Sequence, residues 1–247
     1  MKKVIIKILK KWGYEIHNII SEKELYKKQK WDFLKNMNIK TILDIGANEG
    51  QFAEEIYNIF PDATIYSFEP IMKSYDQLVE NFRSKNRLHT YNIAIGEKDE
   101  KKTFYLSSAS PSSSILKMGK LHKALFPHTS SITEEVVTIK KLDNVEDIQF
   151  EDNLLIKIDV QGAEDKVIIG GLKTFRKAKI IITEVSYATL YENQPLFKDI
   201  FLLLDSLNFK YFGNLEQFYN PQTRAPLFSD AIFINQEFYE QMYGDQI

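Results

Sequence analysis

The sequence predicts an α/β fold: a mostly parallel sheet with helices on both faces and an antiparallel closing strand. Three observations carry that expectation. Thr41–Phe52 reads TILDIGANEGQF, a short β-branched apolar run, then a glycine turn, then apolar residues at helical spacing through Phe60. A second run, Ala63–Phe68, ends in the pair Glu69-Pro70. Further apolar runs at His89–Ile95, Asn153–Ile158 and Lys179–Val185 alternate with amphipathic stretches, as strands buried on both faces do.

The elements follow in order. Lys2–Ile20 places Val4, Ile5, Ile8, Leu9 and Trp12 on one helical face among lysines. Such a basic amphipathic helix packs on the domain or a partner subunit, or lies on an anionic membrane surface. Glu22–Lys35 reads as a second helix with Leu25, Trp31 and Leu34 inward. The expected division is a helical cap over residues 1–38 and an α/β domain over 39–247, with a lid-like insertion around 107–133. Strand Thr41–Leu43 ends in Asp44, and the turn Gly46–Gly50 carries backbone N–H groups to the strand's carboxyl end. Open α/β sheets hold nucleotide-like ligands there. Glu69 lies 19 residues after Gly50, near the spacing of about 20 at which an acid takes ribose hydroxyls. Pro70 stops the second strand, and Met72–Arg83 is the next helix, with Tyr75, Leu78, Val79 and Phe82 inward.

His89–Ile95 is the third strand. Lys101–Leu106 and Glu135–Leu142 alternate like an antiparallel pair, and Ser107–Thr133 between them opens with a serine-rich run. A long excursion of this kind is a flexible linker, or a lid that carries binding groups. His122 and His128 lie on it, where a histidine is more often solvated than catalytic. Asn153–Ile158 is the fourth strand, with Asp159 at its carboxyl end and Lys157 on the same side of the sheet. Gly162 permits the turn into helix Ala163–Phe175. Glu164 sits in that helix's first turn, where the dipole favours an acid. Lys179–Val185 is the fifth strand, ending at Glu184, Ser186 and Tyr187, and helix Pro195–Leu207 follows. Phe209–Phe212, Glu216–Tyr219 and Asp230–Ile234 close the sheet. Tyr187, Tyr191, Phe212, Phe218 and Tyr219 offer aromatic faces near that rim, for core packing or for a sugar ring.

Composition sets bounds. With no cysteine, disulfides, thiolate metal sites and cysteine nucleophiles are excluded. A net charge of −2 gives no electrostatic case for nucleic acid. The apolar stretch near the start is broken by Lys7, Lys10 and Lys11, and no run of 18 apolar residues exists. A cytoplasmic location is expected. The glycine turn lacks the Gly-Lys-Ser/Thr ending of a phosphate-binding loop and is not GxGxxG. Asp44 and Glu49 would repel a pyrophosphate but suit S-adenosylmethionine, which carries a sulfonium and an ammonium and no phosphate.

Asp44-Ile-Gly-Ala-Asn-Glu-Gly50, Phe68-Glu-Pro70, Asn92-Ile-Ala-Ile-Gly96 and Lys157-Ile-Asp-Val-Gln-Gly-Ala-Glu164 resemble the successive motifs of FkbM-type methyltransferases. The resemblance runs from about Lys40 to Asn235. It implies the class I Rossmann-like methyltransferase fold, S-adenosylmethionine as cofactor, and O-methylation of a small molecule such as a sugar, glycan or secondary metabolite. The cofactor-binding set it suggests is Asp44, Gly46, Asn48, Gly50, Phe52, Glu69, Pro70, Ala94, Ile95, Ser113 and Asp159. Ala94 and Ile95 would lie against the adenine, with plain core roles as the alternative, and Ser112, Ser113 and Ser114 are candidate hydroxyl donors. In that fold the fourth strand's end faces the transferred methyl group, which makes Asp159 the first candidate base, followed by Glu184 and His128. No metal site is expected, although Asp159, Glu164, Glu184 and Asp230 offer oxygen ligands for Mg²⁺ or Ca²⁺. The rival functions are a non-catalytic S-adenosylmethionine-binding scaffold and a nicotinamide-dependent oxidoreductase. A homo-oligomer is possible in either case.

Overall fold

The structure, a computed structural model, describes residues 29–107, 113–126, 129 and 132–244. The two expected N-terminal helices lie almost wholly outside the described residues, and Ser112 and His128 lie outside them as well. The chain divides into two compact units, Met1–Asn36 and Met37–Ile247. At the boundary, Asp32–Met37 forms a 3-10 helix. No helix among the described residues is long and apolar enough to cross a membrane.

The second unit is built on a seven-stranded sheet. In chain order the elements are β1 (Thr41–Ile45), α1 (Gln51–Tyr57), β2 (Thr64–Phe68), α2 (Met72–Phe82), β3 (Leu88–Tyr91), β4 (Ala94–Ile95), β5 (Glu100–Ser107), α3 (Lys120–Leu125), β6 (Ile132–Lys140), β7 (Leu154–Ile158), α4 (Glu164–Gly170), α5 (Leu172–Phe175), β8 (Ala178–Ser186), α6 (Phe197–Asp205), β9 (Phe209–Tyr219), β10 (Pro226–Asn235) and α7 (Gln236–Tyr243). The sheet order is β3-β2-β1-β7-β8-β10-β9. β10 alone runs antiparallel to its neighbours. This is the class I Rossmann-like arrangement that the sequence predicts. The order reverses beside β1, so the carboxyl ends of β1 and β7 flank the crevice where such sheets bind ligands.

The central strands are buried on both faces, with Ile42, Leu43, Leu155, Ile156, Ile180 and Ile181 all inaccessible to solvent. One core joins Leu43, Ile45, Phe68, Ile156, Val167, Phe175, Ile200 and Phe233. A second cluster of Ile71, Ala94, Phe104, Ile115, Val137, Ile139 and Ala163 lies under a three-stranded sheet, β4-β6-β5. In that sheet β5 and β6 form the antiparallel pair expected of the insertion.

Three expectations about elements change. The run His89–Ile95 is not one strand. β3 pairs with β2, whereas β4 pairs with β6 in the smaller sheet. Asn92 marks the break: its side-chain amide donates to the carbonyls of Glu69 and Pro70, both at 3.0 Å, and turns the chain out of the large sheet. Helix Ala163–Phe175 is interrupted at Gly170-Gly171. A Cβ on Gly170 would lie 1.9 Å from the Gly96 carbonyl oxygen, so helix and β4 approach more closely than a side chain allows. Phe209–Phe212 and Glu216–Tyr219 are parts of a single strand, β9, whose register against β10 shifts along its length.

Candidate active site

Strand register places the acids. Asp44 on β1 is opposite Lys157 on β7. Lys157 is opposite Ile182 on β8, and Glu184 projects from the same face two residues later. Glu184 is in turn opposite Asp230 on β10. Asp44, Lys157, Glu184 and Asp230 therefore form a row across one face of the sheet, with Asp159 just beyond the end of β7.

Lys157 holds this row together. Its ammonium lies 3.6 Å from Asp44 Oδ1, 3.4 Å from Asp159 Oδ2 and 3.5 Å from the Gly46 carbonyl. Burial works against a charged lysine, but Asp159, Asp44 and Asp230 outweigh it and raise the Lys157 pKa. Asp44 is fully buried, and among the described residues neither carboxylate oxygen has a hydrogen-bond donor within bonding distance. Burial raises its pKa, and Lys157 opposes that rise.

The turns after β1 and β7 touch. Gly46 (φ 82°) packs so tightly that a Cβ would fall 1.9 Å from the Asp159 carbonyl oxygen, and Gly50 (φ 94°) precedes α1 in the left-handed region. Asn48 is also left-handed, at φ 49°. Glu69 ties the first turn to the second. Its two oxygens accept from the backbone N–H groups of Asn48 (2.9 Å) and Ile71 (2.8 Å). Burial nevertheless pushes its pKa up to about 7.

Behind Asp159 stands Gln161, a member of the Lys157–Glu164 motif to which the motif alone assigns no role. Its side-chain amide donates to Asp159 Oδ1 (2.8 Å) and Glu184 Oε2 (3.2 Å), while its Oε1 accepts from the Tyr191 hydroxyl (2.8 Å). Its φ of 57°, followed by Gly162 at 100°, puts two consecutive residues of this turn at positive φ. Burial, then Asp159, Glu164 and Asp230, raise Glu184 well above the usual carboxylate range. Glu184 thus keeps its proton over a wider pH range than an ordinary glutamate, which limits repulsion within the row. Glu164, in the first turn of α4, accepts from the N–H groups of Val160 (3.3 Å) and Gly162 (3.0 Å). It braces the turn, and burial raises its pKa to about 7 despite the helix dipole.

The remaining expected residues are placed as follows. Ile95 joins the main core and Ala94 the cluster under the small sheet. Ser113 is buried, and the Ser114 hydroxyl donates to the Gln161 carbonyl at 2.7 Å. The expectation that His122 is solvated is wrong. It is buried, 3.1 Å from the Thr129 hydroxyl and against the Phe126 and Tyr191 rings, because its segment folds onto the loop after β8. Among the described residues no three His, Asp or Glu side chains are placed to hold a metal ion.

The model of the methyltransferase FkbM domain matches residues 44–211, which span Asp44, Glu69, Asp159, Gln161, Glu184 and Tyr191. The chain belongs to the FkbM methyltransferase family. It is 31% identical over 172 residues to the 2-O-methyltransferase NoeI of Sinorhizobium fredii (strain NBRC 101917 / NGR234), covering 67% of this chain and 71% of that protein. Solved structures include a precorrin-6y C5,15-methyltransferase from Geobacter metallireducens GS-15 (TM-score 0.45, 10% identity, 90% of this chain and 92% of that one). Magnesium protoporphyrin IX methyltransferase from Synechocystis PCC 6803 aligns similarly (TM-score 0.45, 11% identity, 95% of this chain and 96% of that one). Both superpositions are loose, and the assignment rests on the family match and the Sinorhizobium relative. This FkbM protein is a methyltransferase.

Proposed function

We propose that this methyltransferase uses S-adenosylmethionine to methylate a hydroxyl oxygen of a small molecule, a sugar or glycan being the favoured class. The observation that carries the reading is Asp159: a partly exposed carboxylate at the end of β7, fixed from one side by Lys157 and from the other by Gln161. The printed name of the Sinorhizobium relative, a 2-O-methyltransferase, supports oxygen as the acceptor atom.

The donor set fits this cofactor. Asp44 presents two buried carboxylate oxygens with no hydrogen-bond donor among the described residues, and the surrounding row is rich in acids. That surface favours a sulfonium and an ammonium over a pyrophosphate. Asp44, Gly46, Asn48, Gly50 and Phe52 would hold the cofactor's amino-acid end. Glu69, with Pro70 beside it, would take the ribose hydroxyls, and Ser113, on the insertion after β5, would add a hydroxyl. When bound, the cofactor supplies an electrophilic methyl group. The chain's part is to hold the acceptor oxygen in line and to remove its proton. Asp159 takes that proton, and Lys157 and Gln161 keep its carboxylate from turning away.

The test is transfer of labelled methyl groups from S-adenosylmethionine to a panel of sugars, oligosaccharides and phenols, with product analysis of the methylated atom. The reading expects O-methyl products, and a rate reduced about 10²-fold or more in Asp159→Asn with cofactor binding intact. Methylation at nitrogen or carbon, or an Asp159→Asn enzyme as fast as the parent, would overturn it.

A further inference from the structure

The closing hairpin carries aromatic surface on the same sheet face as the acids. Cross-strand partners share a face. Glu184 is opposite Asp230, and Asp230 is opposite Glu216, which continues the acid row onto β9. Two residues nearer the rim, Ser186 is opposite Phe228 and Phe228 opposite Phe218. The two phenyl rings stack with centroids 4.5 Å apart and planes inclined by 16°. Phe228 is fixed from the inner side by Met118, Leu190 and Tyr191, the same Tyr191 that orients Gln161. Phe218 lies on the outer side and is 41% exposed.

We propose that Phe218 and Phe228, with Asp230 and Glu216, form an acceptor subsite for a neutral saccharide ring adjoining the one that is methylated. The proposal rests on the hydroxyl-methylating reading above. A phenyl face is electron-rich, and the C–H face of a pyranose is its electropositive complement. Carboxylates two residues along each strand, about 7 Å away, accept hydrogen bonds from ring hydroxyls. The same carboxylates repel phosphates, which disfavours a nucleotide on this platform. Strands are about 5 Å apart, so Phe228 and Phe218 stand about 10 and 14 Å across the sheet from the strand that carries Asp159. That separation exceeds one sugar ring. The acceptor is therefore an oligosaccharide of at least two rings rather than a free monosaccharide.

The experiment is binding of the full chain, saturated with S-adenosylmethionine, to immobilised neutral oligosaccharides of one to four hexose or N-acetylhexosamine rings. Wild type, Phe218→Ala and Phe218→Tyr are compared, with cofactor affinity by calorimetry and mass by sedimentation measured alongside. The proposal expects glycans of two or more rings to bind at least tenfold more tightly than single rings. It expects that gain to vanish in Phe218→Ala and to return in Phe218→Tyr, with cofactor affinity unchanged throughout. Wild-type protein that binds the cofactor but no glycan, or binds all lengths equally in wild type and Phe218→Ala, would overturn it. A wild-type dimer that dissociates in Phe218→Ala would also overturn it, since the platform would then belong to a second copy. Failure of the wild type to bind the cofactor is read separately and is a failure of the methyltransferase chemistry proposed above.

Discussion

Glu69 shows how burial and hydrogen bonding compete at a single residue. Two backbone N–H groups favour its ionised form, yet burial wins and lifts its pKa to about 7. In the proposed site Glu69 takes the ribose hydroxyls, which donate to a carboxylate better than to a carboxylic acid, so the ionised form would bind the cofactor more tightly. Below pH 7 the protonated form dominates, and affinity must fall as pH falls. Calorimetric titration with S-adenosylmethionine should show binding about tenfold weaker at pH 6 than at pH 8, with proton release on binding in that range. Gln161 gives a second test at this scale. Because it reaches Asp159 rather than the substrate, Gln161→Ala should lower kcat about tenfold or more and move the pH–rate profile, leaving cofactor affinity unchanged. Tyr191→Phe, which removes only the hydroxyl that fixes the amide's orientation, should do the same to a smaller extent. A change confined to KM would contradict this positioning role.

At the scale of elements, strand pairing converts distant residues into neighbours. Asp44 and Lys157 are 113 positions apart in the chain, yet adjacent in register across β1 and β7. Replacing Lys157 by Met leaves Asp44 buried without its counter-charge and should destabilise the fold by about 3 kcal/mol in urea unfolding. Adding Asp44→Asn to that variant should restore most of the loss, because the buried charge is then gone. The same elements show what the sequence could convey. Asp44, Glu69 and Asp159 each follow an apolar run at a strand's carboxyl end, so local pattern alone locates them. Gln161 and Tyr191 meet across 30 residues through a loop after β8, and no local pattern announces that contact. His122 reads as a polar-loop residue for the same reason, since its burial comes from Met118 bridging to Tyr191. The break of His89–Ile95 into two strands depends on one side-chain amide, Asn92, which apolar alternation cannot register.

Over the whole molecule, a chain of net charge −2 gathers Asp44, Asp159, Glu184 and Asp230 in a row across one face of its sheet around Lys157. On the proposed reading such a row attracts a cationic cofactor and repels phosphates, unlike the nicotinamide-binding sheets of related topology. The alternation of apolar runs with amphipathic helices made the parallel sheet legible, and the antiparallel closure followed from the strand-rich last quarter. The most direct measurement is calorimetric titration of the full chain with S-adenosylmethionine and, in parallel, NADH, with Asp44→Ala as control. Micromolar binding of S-adenosylmethionine by the wild type, lost in Asp44→Ala and absent for NADH, is the predicted result. A folded wild-type protein that fails to bind S-adenosylmethionine at millimolar concentration would contradict the account.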